Sequence, residues 1–271
     1  LKEDLGRGDI TTEATIAQDA RALAIIFAKE DGVLCGVNIA RMVFKQLDET
    51  IDFQKQLDDG DTLSSGTTIA ILIGRASTCL NGERTALNFL QHLSGIATLT
   101  RQFVTAAKGS IKLLDTRKTL PGLRVMEKYA VRVGGGFNHR FGLYDMVMIK
   151  DNHIQIAGSI TDAVNRVRKK KPKIFIEVEV KTQEELKEAI AMKANRIMLD
   201  NMSRNLITQA IDLLHKTGPG IEIEISGGIS IQNIEQVADT GADFVSVGAL
   251  THSAKALDIA LKMKPLGPKS L

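Results

Sequence analysis

The chain has 271 residues, 44% of them apolar and 25% charged, and 35 basic against 32 acidic side chains leave a formal net charge of +3. Aromatics make up only 4%, Trp is missing and no long Lys/Arg run occurs, so the composition speaks against a stacking platform for nucleic acid. No apolar run approaches the roughly 20 residues that span a bilayer, and no signal peptide is visible. The first residue is Leu1 rather than Met, which leaves the natural N-terminus and any targeting signal there unread. Cys35 and Cys79 match neither a CxxC nor a zinc spacing and read as two reduced thiols of a cytosolic protein.

Up to about residue 80 the pattern is β-rich. Residues 22–29 and 32–35 read as strands, and 39–47 as an amphipathic helix. Turns follow at Asp58-Asp59-Gly60-Asp61 and Ser64-Ser65-Gly66, then a strand over 68–73 that enters Gly74. An Ala- and Leu-rich helix is predicted from about Gly82 to Ala107, with Arg84 in its first turn. From Ile111 the rhythm becomes strand then helix. Strands are predicted at 112–115, 146–149, 174–180, 196–199, 222–225 and 244–247; helices at 122–133, 160–169, 183–192, 205–216 and 231–240. Short apolar strands alternating with amphipathic helices imply a parallel sheet with right-handed crossovers.

Periodicity alone does not separate an open doubly wound sheet from a barrel, but the strand ends do. They carry Asp115/Arg117, Lys150, Glu177/Glu179, Asp200, Ser226-Gly227-Gly228 and Gly248. Chemistry at the C-terminal end of every strand is how (β/α) barrels build active sites, and the loops after their final strands often bind phosphate. Ser226-Gly227-Gly228 is expected to lead into a helix whose N-terminus favours an anion, with Gly248–Ala249 completing the site.

Positive charge is concentrated beside these ends. Between residues 112 and 150 eight Lys/Arg face three Asp/Glu, an excess of five against three for the whole chain. Arg117, Lys118, His139, Arg140 and Lys150 flank short apolar strands and glycines. That placement favours a small, highly anionic ligand over a solvated surface, the reading that suits Lys169-Lys170-Lys171. Glu177 and Glu179, two apart on a strand, share a face. With Asp200 they suit Mg²⁺ held partly through a phosphorylated substrate, or sugar hydroxyls. A plain Glu–Lys pair with Lys150 or Lys181 is the competing reading, and spacing alone does not choose. Gly134-Gly135-Gly136 is not a dinucleotide fingerprint. It reads as a turn that lets His139 and Arg140 swing inward. His252 suits either phosphate or a helix cap.

Jointly, and in order, these segments resemble the quinolinate phosphoribosyltransferases. The resemblance is carried by Glu3–Thr11, Glu83–Asn88, Asp115–Arg124, Gly134–Arg140, Tyr144–His153, Glu177–Val180, Leu199–Met202, Ser226–Ile229 and Ser246–Ser253. Family members usually carry a further helical segment ahead of Glu3-Asp4. The resemblance implies an α/β protein: an N-terminal open α/β sandwich over 1–94, completed by a tail at 253–271, and a partly open (β/α) barrel over 95–252. It implies a decarboxylating transfer of phosphoribose from phosphoribosyl pyrophosphate to quinolinate, giving nicotinate mononucleotide, pyrophosphate and CO₂, with Mg²⁺ and no organic cofactor.

Carried over residue by residue, Arg117, His139, Arg140 and Lys150 would hold the two carboxylates, and Arg84 would reach the site of a partner subunit. Lys118, Glu179, Asp200, Ser226, Gly227, Gly248 and His252 would hold the phosphoribosyl donor. Glu179 and Asp200 would also serve the metal, and Lys150, Glu179 and Asp200 the chemistry. The implied enzyme is a cytoplasmic homodimer, open to further assembly, with neither nucleic acid nor membrane as partner. Paralogues on the same scaffold remain alternatives: a molybdenum-transport-associated protein, or a nicotinate phosphoribosyltransferase that should lack part of the carboxylate clamp. Sugar-phosphate isomerases or lyases and a non-catalytic metabolite-binding module are more distant ones.

Overall fold

The computed structural model describes residues 1–267, and the chain divides into two compact units. Among the described residues the first comprises 1–99, 132–134 and 254–267, the second 100–131 and 135–253. The last part of the expected tail, residues 268–271, lies outside the described residues.

The first unit opens with two short helices, α1 (Lys2–Leu5) and α2 (Ile10–Thr15). Asp9 caps α2, its Oδ1 accepting the amides of Thr11 and Thr12 at 3.0 Å each. The Thr12 hydroxyl, which donates to Oδ2 at 2.5 Å, and those amide bonds hold its carboxyl below the usual carboxylate range. Then come β1 (Arg21–Ala28), β2 (Gly32–Val33), α3 (Val37–Leu47), β3 (Asp52–Lys55), β4 (Thr62–Leu63) and β5 (Thr68–Arg75). Alternate residues of β1 are buried, as a sheet with one core face requires. Helix α3 starts where Asp59 Oδ1 accepts the amides of Gly36 and Val37, at 2.9 and 3.0 Å.

Helix α4 (Ala76–Ala106) begins in the first unit and ends in the second. It starts ahead of the predicted Gly82, which sits inside the helix. A β-carbon there would lie 2.6 Å from the Phe44 ring, so this glycine admits α3 to close packing and does not mark a helix start.

The second unit alternates strand and helix: β6 (Lys112–Leu114), α5 (Arg124–Val133), β7 (Val147–Ile149), α6 (Asp151–Ala157), α7 (Ile160–Lys170), β8 (Ile176–Val180) and α8 (Gln183–Ala191). There follow β9 (Arg196–Asp200), α9 (Arg204–Thr217), β10 (Glu222–Ser226), α10 (Ile234–Ala238), β11 (Phe244–Ser246) and α11 (Ala249–His252). Thr182 and Glu185 form a capping box on α8, and Ser159 and Ser203 cap α7 and α9. The chain ends in β12 (Ile259–Pro265).

In the first unit β12 pairs antiparallel with β1, from Ala22↔Pro265 to Ala28↔Ile259, giving the sheet order β12-β1-β5-β3. In the second unit the order is β6-β11-β10-β9-β8-β7, with every pair parallel. The last strand, β11, lies beside the first, β6. That pairing is the signature of a barrel wound once around, and it leaves a seam between β6 and β7. Phe137 partly fills the seam through an isolated parallel bridge to Leu114. The predicted partly open barrel is present.

Candidate active site

Six parallel strands deliver their C-terminal ends to one cavity of about 530 Å³. From β6 and the turn after it come Asp115, Thr116, Arg117 and Lys118; from β7, Lys150 and Asp151; from β8, Glu179 and Lys181. Then come Asp200 and Asn201 from β9, Glu224 and Ser226 from β10, and Ser246 from β11, while His139 and Arg140 enter from the seam segment. All these residues belong to the second unit.

The strand pattern explains why charge collects here. Every residue of β8, Ile-Glu-Val-Glu-Val, is buried. Side chains alternate along a strand, so Ile176, Val178 and Val180 share one face while Glu177 and Glu179 share the other, inside the barrel. The same parity puts Glu224 and Ser226 of β10 inward.

The two glutamates have different partners. Glu179 Oε2 pairs with Lys150 Nζ at 2.7 Å, and its Oε1 lies 4.0 Å from Lys181. The glutamate–lysine pairing is therefore present, at the cavity wall. Glu177 instead lies 3.0 Å from His139 Nε2, and Glu224 lies 3.4 Å from the same nitrogen. Burial alone would lower the His139 pKa; contact with Glu177 and Glu224 outweighs it and pushes the ring up to about 9. Burial also raises the Glu177 carboxyl above its usual range.

His139 Nδ1 accepts the Arg140 amide at 2.7 Å, while the buried Nε2 stands within ion-pair range of both glutamates. Among the described residues, His139, Glu177 and Glu224 form the one group of His, Cys, Asp or Glu whose ligand atoms converge, within 4.8 Å. Arg196 Nη1 already sits 3.1 Å from the Glu224 oxygen that faces His139. This trio is an ion-pair network rather than a poised metal site.

The cations beside it are uncompensated. Among the described residues no carboxylate lies within 4.0 Å of the Arg117, Lys118 or Arg140 head groups. Burial and the like charge of Arg117 lower the Arg140 pKa, against a smaller pull from Glu177 and Asp145. Like charges converge in this way where an anion completes the balance.

Gly248 and His252 do not line the cavity, but they adjoin Lys118, which does: a β-carbon on Gly248 would lie 2.9 Å from the Lys118 stem and 3.2 Å from His252 Nε2. The ring Nδ1 of His252 is 2.6 Å from Ser253 Oγ. Gly227 takes φ +94°, and a β-carbon there would fall 2.2 Å from Asn201 Oδ1, so only glycine fits.

The helix expected over 231–240 is shorter and starts later, at Ile234. Asn233 Oδ1 accepts the Ser230 amide and its Nδ2 donates to Gly228 O, both at 2.8 Å. These bonds fold 228–233 into a turn and delay α10 to Ile234. Helix α11, by contrast, begins directly after Gly248. Nor does the triple glycine let His139 and Arg140 swing. Phe137 N donates to Leu113 O at 2.8 Å, Asp115 N donates to Phe137 O at 3.1 Å and His139 N donates to Asp115 Oδ1 at 2.9 Å, pinning the segment to β6.

Arg84 is exposed on α4, in the first unit. Lys181, Glu224 and Asn201 also line the cavity but were not among the expected site residues. A parity count back from Ser226 would have found Glu224, and Lys181 directly follows the last residue of β8.

Two family descriptions match the chain: "Quinolinate phosphoribosyl transferase, N-terminal domain" over residues 9–94 and "Quinolinate phosphoribosyl transferase, C-terminal domain" over residues 96–262. A probable nicotinate-nucleotide pyrophosphorylase [carboxylating] of Synechocystis sp. is 45% identical over 97% of this chain and 90% of its own length. One from Bacillus subtilis is 45% identical over 96% of this chain and 89% of its own length. The crystal structure of NadC from Streptococcus pyogenes superposes with a TM-score of 0.93 at 45% identity, covering 98% of this chain and 94% of the other. Those matches run through both units and through the strand ends that build the cavity, and on them the chain belongs to the quinolinate phosphoribosyltransferase family.

Proposed function

We propose that this chain makes nicotinate mononucleotide, pyrophosphate and CO₂ from quinolinate and phosphoribosyl pyrophosphate, the decarboxylating entry of quinolinate into NAD biosynthesis. One observation carries the reading. A single cavity sets uncompensated Arg117, Arg140 and Lys118 opposite the carboxylates of Glu179 and Asp200.

Quinolinate is a dianion. One charge-assisted contact, worth about 1.5–3 kcal/mol, cannot orient it, whereas several can fix its ring nitrogen against the anomeric carbon of the donor. Arg117, Arg140 and Lys150 bind its carboxylates in this reading. His139 stands on the same wall, its Nδ1 holding the Arg140 amide and its Nε2 turned toward Glu177 and Glu224. Lys118, Ser226, Gly227, Gly248 and His252 receive the phosphorylated end of the donor.

As pyrophosphate departs, positive charge develops on the ribose, where Glu179 and Asp200 can offset it. Once the nitrogen is ribosylated the ring is cationic, so the adjacent carboxylate can leave as CO₂ with its electron pair held by the ring. No organic cofactor is needed for that step.

Mg²⁺ fits the donor set. Glu179 and Asp200 offer hard oxygen ligands, and beyond Asn201 Nδ2 at 2.9 Å no partner of the Asp200 carboxylate is seen among the described residues. Lys150 already engages one Glu179 oxygen, so the ion would be held largely through donor oxygens, as Mg²⁺ prefers. When bound it supplies charge neutralisation for the departing pyrophosphate.

The same reading makes the protein a homodimer in which Arg84 serves the partner's cavity. In support, exposed apolar side chains gather in the segment between β6 and β7: Leu120, Val125, Phe137, Leu143 and Tyr144 are 49%, 66%, 49%, 70% and 80% exposed. Such a cluster marks a surface that another protein covers. A cytoplasmic setting fits the two buried free thiols, since burial pushes Cys79 up to about 11 and Cys35 higher still. No helix among the described residues is long and apolar enough to cross a membrane.

The test is incubation with quinolinate, phosphoribosyl pyrophosphate and Mg²⁺, with nicotinic acid as acceptor in parallel. Nicotinate mononucleotide and CO₂ formed from quinolinate alone are expected. Turnover of nicotinic acid in preference would assign the chain to a different transferase.

A further inference from the structure

A buried ion pair stands at the cavity wall, with Asp115 lining the cavity and Lys128 outside its lining, and neither substrate's binding accounts for it. Asp115, at the end of β6, is 0% exposed, and Lys128, on α5, is 3% exposed. Lys128 Nζ donates to Asp115 Oδ1. Burial raises the Asp115 carboxyl above its usual range even so, while Lys128, Asn138 and the His139 amide pull it back. Desolvating two opposite charges is costly, and apolar residues of similar volume often serve stability as well or better. Stability alone therefore does not explain the pair.

Its remaining hydrogen bonds do. Asp115 Oδ1 accepts the His139 amide at 2.9 Å, and Lys128 Nζ donates to His139 O at 3.1 Å, so the pair holds both ends of one residue's backbone. Asn138 Nδ2 donates to Asp115 Oδ2 at 2.5 Å and to Lys128 O at 2.9 Å, tying the preceding residue to both partners. His139 Nδ1 then accepts the Arg140 amide. Apolar replacements could fill the same volume but could not reproduce this grip. The grip sets where His139 and Arg140 stand on the cavity wall.

We propose that Asp115, Lys128 and Asn138 are positioning residues for the dicarboxylate half of the site: their bonds to the backbone and side chains of 138–139 fix Arg140 and the His139 cluster at the spacing that two carboxylates on neighbouring ring carbons require. The inference rests on the quinolinate reading above. A displacement of about 1 Å in such a group can cost on the order of a hundredfold in rate.

The experiment uses the full chain in two variants, with melting temperature and the KM of each substrate measured separately. In Asp115→Leu/Lys128→Met both charges are replaced together. This variant should melt at or above the Lys128→Met single variant, yet show a quinolinate KM raised about tenfold or more with the donor KM within about twofold. Asn138→Ala removes two bonds from an exposed residue and should fold normally. Its quinolinate KM should rise about threefold or more, again with little change for the donor.

A folded double variant with native quinolinate KM, or equal rises for both substrates, overturns the proposal. If the double variant does not fold, Asn138→Ala decides on the same criterion. If the unaltered chain makes no nicotinate mononucleotide, the proposed reaction fails. The positioning role is then read from hydrogen exchange: the His139 and Arg140 amides must exchange faster in Asn138→Ala while those of β6 do not. Unchanged exchange there overturns it.

Discussion

Arg140 is half-buried, repelled by Arg117 and without a carboxylate in ion-pairing range among the described residues, so the more distant Glu177 and Asp145 offset its charge only in part. Arg140→Ala should therefore raise the quinolinate KM about thirtyfold or more, the scale of about 2 kcal/mol for a lost charge-assisted contact, and leave the donor KM nearly unchanged. Equal losses for both substrates would move Arg140 out of the quinolinate site. His139 makes a second case, this time about pH. Its folded pKa of about 9 exceeds the ordinary 6.5, so the folded state binds the proton more tightly than the unfolded chain does. That stabilisation is complete below pH 6.5 and is lost as pH rises through about 9. The melting temperature of the wild-type protein should fall across this window. In His139→Gln the decline should flatten, and a slope that persists would place the titration elsewhere.

At the scale of elements, the proposed division puts the donor's phosphorylated end at the ends of β10 and β11, apart from the quinolinate clamp. Gly227→Ala would force a side chain into φ +94° and against Asn201, shifting the loop that follows β10. The donor KM should rise about tenfold or more while the quinolinate KM stays within about twofold; the reverse pattern would exchange the two subsites. How much of this could be read from the sequence depended on whether a feature is local. The strands β6 to β11 are short apolar runs ending in polar residues, and their inward parity made Glu177, Glu179 and Asp200 visible together. Strand β12 escaped because its only signal, a short alternation of Leu261 and Met263 with Lys262 and Lys264, is completed by pairing with β1 more than 200 residues earlier. The turn at 228–233 escaped because two side-chain bonds of Asn233 override a helical pattern. In the site, the glutamate–lysine pair could be named but not chosen from spacing. The His139 cluster needed three strands and a seam segment brought together, which no run of residues shows.

At the scale of the whole molecule, the cavity walls belong to the second unit and Arg84 to the first, so Arg84 tests how a complete site is assembled. If Arg84 serves the partner's cavity, an Arg84→Ala chain keeps an intact wall but cannot complete its partner's, and a Lys150→Ala chain has the opposite defect. Each variant alone should be nearly inactive. In a mixed dimer one site unites the native wall of the first chain with the native Arg84 of the second, while the other site carries both lesions. Random assembly makes half the dimers mixed, so equal co-assembly should recover about a quarter of wild-type activity, with wild-type KM values at the recovered sites. If Arg84 instead served the cavity of its own chain, no arrangement of the two variants would yield an intact site. Verified mixed dimers would then stay inactive, and the shared-site reading would fall while the assignment of the quinolinate clamp to Arg117, Arg140 and Lys150 stood untouched.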